Sequence, residues 1–152
     1  MGQKSIWKGS VMKLKVTRGD TWMATIEDRA GGAAEKLKPL AQAGADLEFV
    51  LVQRTPERDG KGIVTVAPIR GFKVIKAAEA AGFEKPQSLC RVRIEGPDKP
   101  GLAAKITGAV AGVGISFRRL TQVAIRGRFV AYLALDSVED AEKAMRVLKK
   151  LP

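Results

Sequence analysis

Cys90-Arg91-Val92-Arg93-Ile94-Glu95, followed by Gly96-Pro97-Asp98-Lys99-Pro100-Gly101-Leu102-Ala103-Ala104, is the stretch whose reading decides the fold. Cys90, Val92 and Ile94 alternate with Arg91, Arg93 and Glu95, the period of a half-buried strand. Turn residues then interrupt the alternation from Pro97 to Gly101, and Ala103-Ala104 opens a helix with apolar positions at Ile106, Ala109, Val110 and Val113. Gly114 suits the left-handed residue that closes a helix. A strand is predicted over 115–125, Arg126-Gly127 turns the chain, and a further strand is predicted over 129–135. Ser137 with Asp140, and Glu139 in the first turn, predicts a capped helix over 138–150.

Seventy residues upstream the same order of events occurs. Residues 22–27 alternate as a strand, Asp28-Arg29-Ala30-Gly31-Gly32 makes the turn, and Ala33-Ala34 opens a helix that closes near Gly44. Gly31/Gly101, Ala33/Ala103, Ala34/Ala104, Ala41/Ala111 and Gly44/Gly114 are identical pairs at that one offset. Strands are predicted over 47–54 and 63–69, joined by a hairpin at Asp59-Gly60, and a helix over 72–81. Pro39 is expected to disturb the first helix, because it removes a backbone donor. The predicted class is therefore α+β: two ferredoxin-like βαββα(β) units with antiparallel sheets and helices on one face. The expected division is a basic N-terminal arm or edge strand over 1–19, one domain over 20–86 and another over 87–152. Residues 11–17 alternate as well, and are expected to return as a missing sheet edge.

Composition removes several function classes. The 152 residues are 45 % hydrophobic and 28 % charged, an ordinary globular balance. The longest apolar run, Phe129 to Leu135, is far short of the roughly 20 residues that span a bilayer, and no apolar block follows Lys4 and Lys8, so neither a membrane span nor a secretory signal is expected. The single Cys90 fits a reducing, cytoplasmic setting and is expected in the core. Without histidine, Ser-His and Cys-His nucleophile pairs and imidazole metal sites are excluded within the chain. The net charge of +11 divides as +5 over residues 1–19, zero over 20–86 and +6 over 87–152. Such an excess attracts anionic ligands or nucleic acid.

The stretch from Val92 through Ile106, then Ala111-Gly112-Val113-Gly114-Ile115, then Ser137 through Ala144, resembles the ACT domain family. Glu27 through Lys36, with Gly44-Ala45-Asp46-Leu47, is similar to a second and looser copy, so the resemblance implies a tandem ACT protein over about residues 20–151. It further implies a free-standing regulatory module that is not an enzyme and binds an amino acid or similar metabolite where domains pair. The turn supports that chemistry, because a glycine lets a ligand approach the backbone and a helix start leaves N–H groups for a carboxylate. The ligand-contacting set it implies is Asp98, Lys99, Pro100, Gly101, Leu102 and Ser116, with Asp28, Arg29, Gly31, Gly32 and Asp46 in the first copy. Ser116 and Asp46 stand where the family often has asparagine, and Ala30 replaces the proline found at Pro100. The expected partners are a small-molecule ligand and a second copy in a homodimer; no cofactor, metal or membrane is expected.

Two readings compete with this one. A glycine turn between strand and helix is also what any βα unit needs for architecture alone. RNA-recognition domains share the element order, but they need aromatics on the sheet face, and in Arg126-Gly127-Arg128-Phe129-Val130-Ala131-Tyr132-Leu133 the aromatic positions hold Arg128, Val130 and Leu133. Nucleic-acid binding therefore ranks second. Arg91 and Arg93 are read as projecting from the face opposite the core, toward solvent or acidic groups of a partner.

Overall fold

Among the described residues, alternation of apolar and polar residues produces seven strands, and four helices lie between and after them. The computed structural model describes residues 14–152. In chain order these are β1 (Lys15–Arg18), β2 (Trp22–Glu27), α1 (Gly32–Gln42), β3 (Phe49–Arg54), β4 (Lys61–Ala67), α2 (Phe72–Ala80), β5 (Cys90–Pro97), α3 (Leu102–Gly112), β6 (Arg119–Ile125), β7 (Arg128–Leu135) and α4 (Val138–Leu148). They fall into two compact units, Asp20–Gln87 (the inserted unit) and residues 14–19 with Ser88–Pro152 (the split unit). Each is a βαββα unit with an antiparallel sheet, as the repeat predicted.

In the inserted unit the sheet order is β2-β4-β3, with Trp22 opposite Val66 and Phe49 opposite Ala67. Ala24, Ile26, Val64 and Val66 turn one face toward Leu40 of α1 and Ala78 of α2, forming its core. In the split unit the order is β1-β5-β7-β6. Val92, Ile94, Phe129, Ala131 and Leu133 meet Ile106 and Val110 of α3 and Ala141, Ala144 and Leu148 of α4. Cys90 lies in that core at 3 % exposure.

The strand on the outer edge of β5 comes from before the inserted unit: Lys15, Val16, Thr17 and Arg18 pair with Glu95, Ile94, Arg93 and Val92. Residues 11–13 of the stretch read as a returning edge lie outside the described residues. At the matching edge of the inserted unit a single antiparallel bridge forms, in which the N–H groups of Met23 and Glu84 each donate to the other's carbonyl at 2.8 Å.

Local signals explain the helix ends. Gly44 and Gly114 are left-handed, and the N–H groups of Ala45 and Ile115 donate back to Leu40 and Val110, the hydrogen bonds of a Schellman ending. Ser137 Oγ accepts from the Asp140 N–H at 3.0 Å, so α4 starts as its capping signal predicts. Pro39 stays within α1, three residues from its end, and its carbonyl accepts from the Ala43 N–H. β6 starts at Arg119 and not at residue 115: Ile115 is buried in the core and Phe117 packs against it while the chain crosses from helix end to sheet edge.

Candidate functional site

The two strand-to-helix turns are built alike. In each, the aspartate N–H is tied to the neighbouring hairpin, Asp28 to the Gly60 carbonyl at 3.0 Å and Asp98 to that of Gly127 at 2.8 Å. The N–H groups of Gly32 and Leu102 donate to Arg29 and Lys99, closing the turn. Gly31 and Gly101 then take φ values of +86° and +83°, where a side chain is strained. Neither helix has a side-chain cap. The N–H groups of Ala33, Ala34, Ala103 and Ala104 find no acceptor among the described residues.

The side chains around these turns differ. In the inserted unit Arg29 grips Glu35 at 2.7 and 2.8 Å, Arg54 Nε donates to Asp28 at 2.8 Å, and Lys61 pairs with Glu27. These bonds raise the Arg29 pKa through Glu35 and lower that of Glu27 through Lys61. Glu35 already places a carboxylate in the first turn of α1, at the positive end of the helix dipole. In the split unit the same position, seventy residues on, is Lys105, and the first turn of α3 has no acid. Asp98 and Lys99 are exposed and form no ion pair among the described residues, and the space beside Gly101 is open for at least 4 Å. The Gly101 turn thus presents its free amides beside a lysine, whereas the Gly31 turn presents its own beside a glutamate already paired with Arg29. The Glu35/Lys105 contrast is written in the sequence, but alignment on identical glycines and alanines passes over it.

Asp46 and Ser116 are both exposed, just past the closing glycines of α1 and α3. An eleven-residue helix separates each from the turn of its own unit, about 16 Å at 1.5 Å per residue. One unit therefore does not bring its turn and its Asp46 or Ser116 together. Asp46 instead lines a 240 Å³ concavity with Gly44, Glu48, Pro68, Arg70 and Val74. Arg70 was not among the sequence candidates, because nothing local links the β4–α2 turn to the end of α1.

Residues 91–152 match the ACT domain family. That segment covers β5 through α4 and includes the Gly101 turn and Ser116. No curated protein matches the chain. Among solved structures, a protein from Bacteroides thetaiotaomicron superposes with a TM-score of 0.70 at 18 % identity, covering 90 % of this chain and 99 % of its own. The ligand-free regulatory subunit of aspartate kinase from Thermus thermophilus gives 0.60 at 20 % identity, covering 91 % and 95 %. The aspartate kinase of Clostridium acetobutylicum gives 0.56 at 18 % identity, covering 93 % of this chain and 34 % of the kinase. These likenesses establish the fold.

Proposed function

We propose that this protein is a regulatory module that binds a small carboxylate-bearing metabolite, an amino acid in the first instance, at the Gly101 turn of its ACT domain. The observation that carries the reading is the turn itself, which lies inside the ACT-matching segment with two amides that have no acceptor among the described residues, no side-chain cap and open space before it. A ligand carboxylate would accept from the amides of Ala103 and Ala104, assisted by the helix dipole and Lys105, while Asp98 accepts from its ammonium. The inserted unit is, on this reading, a second ACT-like copy in which the negative charge of Glu35, close to the Gly31 turn, disfavours a ligand carboxylate there. Because α3 holds Ser116 away from its own turn, the complete site needs a paired unit, and a homodimer would supply one. Fold likeness to aspartate kinase regulatory subunits, and to a kinase described as allosteric, supports a regulatory role over a catalytic one. The RNA reading is disfavoured, since the sheet face of the split unit offers one aromatic, Tyr132, at 5 % exposure.

A thermal-shift panel of amino acids tests the proposal, because a ligand that binds only the folded chain raises its melting temperature. One or a few members should raise it for the native protein. Lys105→Glu, an exposed change that copies Glu35, should fold normally and lose the shift. A panel with no effect, or a shift that survives Lys105→Glu unchanged, contradicts the assignment.

A further inference from the structure

Each unit has a corner where the loop after its first helix meets the turn before its second, and the two corners are closed differently. In the split unit the Arg118 N–H donates to the Ala134 carbonyl at 2.9 Å. The Arg118 side chain pairs with Asp136, one residue before the α4 cap. The inserted unit keeps the backbone tie, with the Glu48 N–H donating to the Ala67 carbonyl at 2.8 Å. Its charges there are reversed: Glu48 stands where the split unit, seventy residues on, has Arg118, and Arg70 stands one residue before the α2 cap. Arg70 forms no ion pair among the described residues. The 240 Å³ concavity lies at this corner instead, and every residue that lines it belongs to the inserted unit.

Two unengaged charges of opposite sign line that concavity. Glu48 has an interaction of its own, whereas neither Asp46 nor Arg70 has a hydrogen bond or an ion pair through its side chain among the described residues. Their charged atoms therefore lie more than 4.0 Å apart. Exposed opposite charges gain only about 0–1 kcal/mol by pairing, so leaving them apart costs the fold little. Asp46 follows α1 and Arg70 precedes α2, so the two charges enter from different segments. Ala45, Pro68 and Val74 line the same concavity as an apolar wall, and Val74 is buried. Sites for drug-sized ligands measure about 300–1,000 Å³, so this one suits a smaller molecule.

We propose that this corner of the inserted unit binds a small zwitterion whose charges sit at the two ends of a short aliphatic chain, an ω-amino acid in chemical class. The fork of Arg70 donates to its carboxylate, Asp46 accepts from its ammonium, and its methylene groups lie against Val74 and Pro68. The site shares no residue with the Gly101 turn and stands independently of the function proposed there.

The test is an amide-resolved NMR titration of the full chain, at constant ionic strength, with 3-aminopropanoate, 4-aminobutanoate and 5-aminopentanoate. At least one should give saturable shifts at Ala45, Asp46, Arg70 and Val74, in the native protein and in Lys105→Glu alike. Pentanoate and pentylamine carry one charge each, and L-valine carries both on one carbon. All three should bind more weakly by about tenfold, the loss of one charge-assisted hydrogen bond. Arg70→Gln and Asp46→Asn change exposed side chains with little change of shape, and each should weaken binding by about the same factor. The proposal is overturned if none of the three ω-amino acids moves those four amides, if a single-charge control or L-valine binds as tightly, or if binding survives both substitutions. Shifts confined to the Gly101 turn overturn it too, while leaving the reading of that turn intact.

Discussion

Single glycines and single charges do separable jobs here. Gly101 has a left-handed backbone and nothing within 4 Å of where a Cβ would stand, so Gly101→Ala should cost only the backbone strain, about 1–2 kcal/mol. A Cβ at Gly32 would collide with the Glu27 carbonyl, which cannot move without breaking the turn, so Gly32→Ala should be the more destabilising change. Urea unfolding of both variants checks the order. Glu95 gives a pH signature. Its bond to Arg93 holds its carboxyl below the ordinary 4.5. A group whose folded pKa is depressed stabilises the fold above its unfolded value, and that contribution is lost as the pH falls through the folded value. The urea midpoint should therefore drop as the pH is lowered below about 4.5, and Glu95→Gln should flatten that drop while lowering stability at neutral pH. At this scale the sequence was legible where a residue's role is local. Alternation placed Cys90 in the core and Arg91 on the opposite face. It did not disclose that Arg91 is buried, because period 2 sets which side a residue takes and not what excludes water from it.

Secondary-structure elements were legible where their ends carry chemistry. Ser137 and the two closing glycines mark helix boundaries through specific hydrogen bonds, and each bond is present. Ser137→Ala removes the acceptor for the Asp140 N–H and should cost about 1 kcal/mol, whereas Ser137→Asp should retain most of it. Chemical denaturation of the pair measures the difference. The start of β6 was not legible, since Ile115 and Phe117 have the spacing of a strand while they serve as a buried crossing from α3 to the sheet edge. The packed interior is less forgiving than the caps. Leu133 is fully buried between β5, β6 and the helices, and Leu133→Ala should cost roughly 2–5 kcal/mol by opening a cavity.

For the molecule as a whole, the informative feature is an interruption: β1 precedes the inserted unit, yet its partner β5 follows it. Alternation marks residues 15–18 as a strand, but no local pattern names the edge they join, since pairing partners far apart in sequence are set by tertiary context. Replacing Val16, 5 % exposed in the split-unit core, by aspartate should detach β1 and raise hydrogen exchange along β5, while the amides of β2 and β4 in the inserted unit stay protected. The doubled βαββα plan was legible because both copies keep the same glycines. The structural contrast between their turns was not, because it rests on Glu35 facing its own arginine in one copy and Lys105 facing solvent in the other.

An amide-resolved NMR titration of the full chain with the metabolite giving the largest thermal shift puts the central claim to its most direct test. The account predicts saturable shifts concentrated at Gly101, Leu102, Ala103 and Ala104, with the Gly31 turn unmoved. Shifts that leave those four amides in place, or that centre on Gly31 and Ala33 instead, would contradict it.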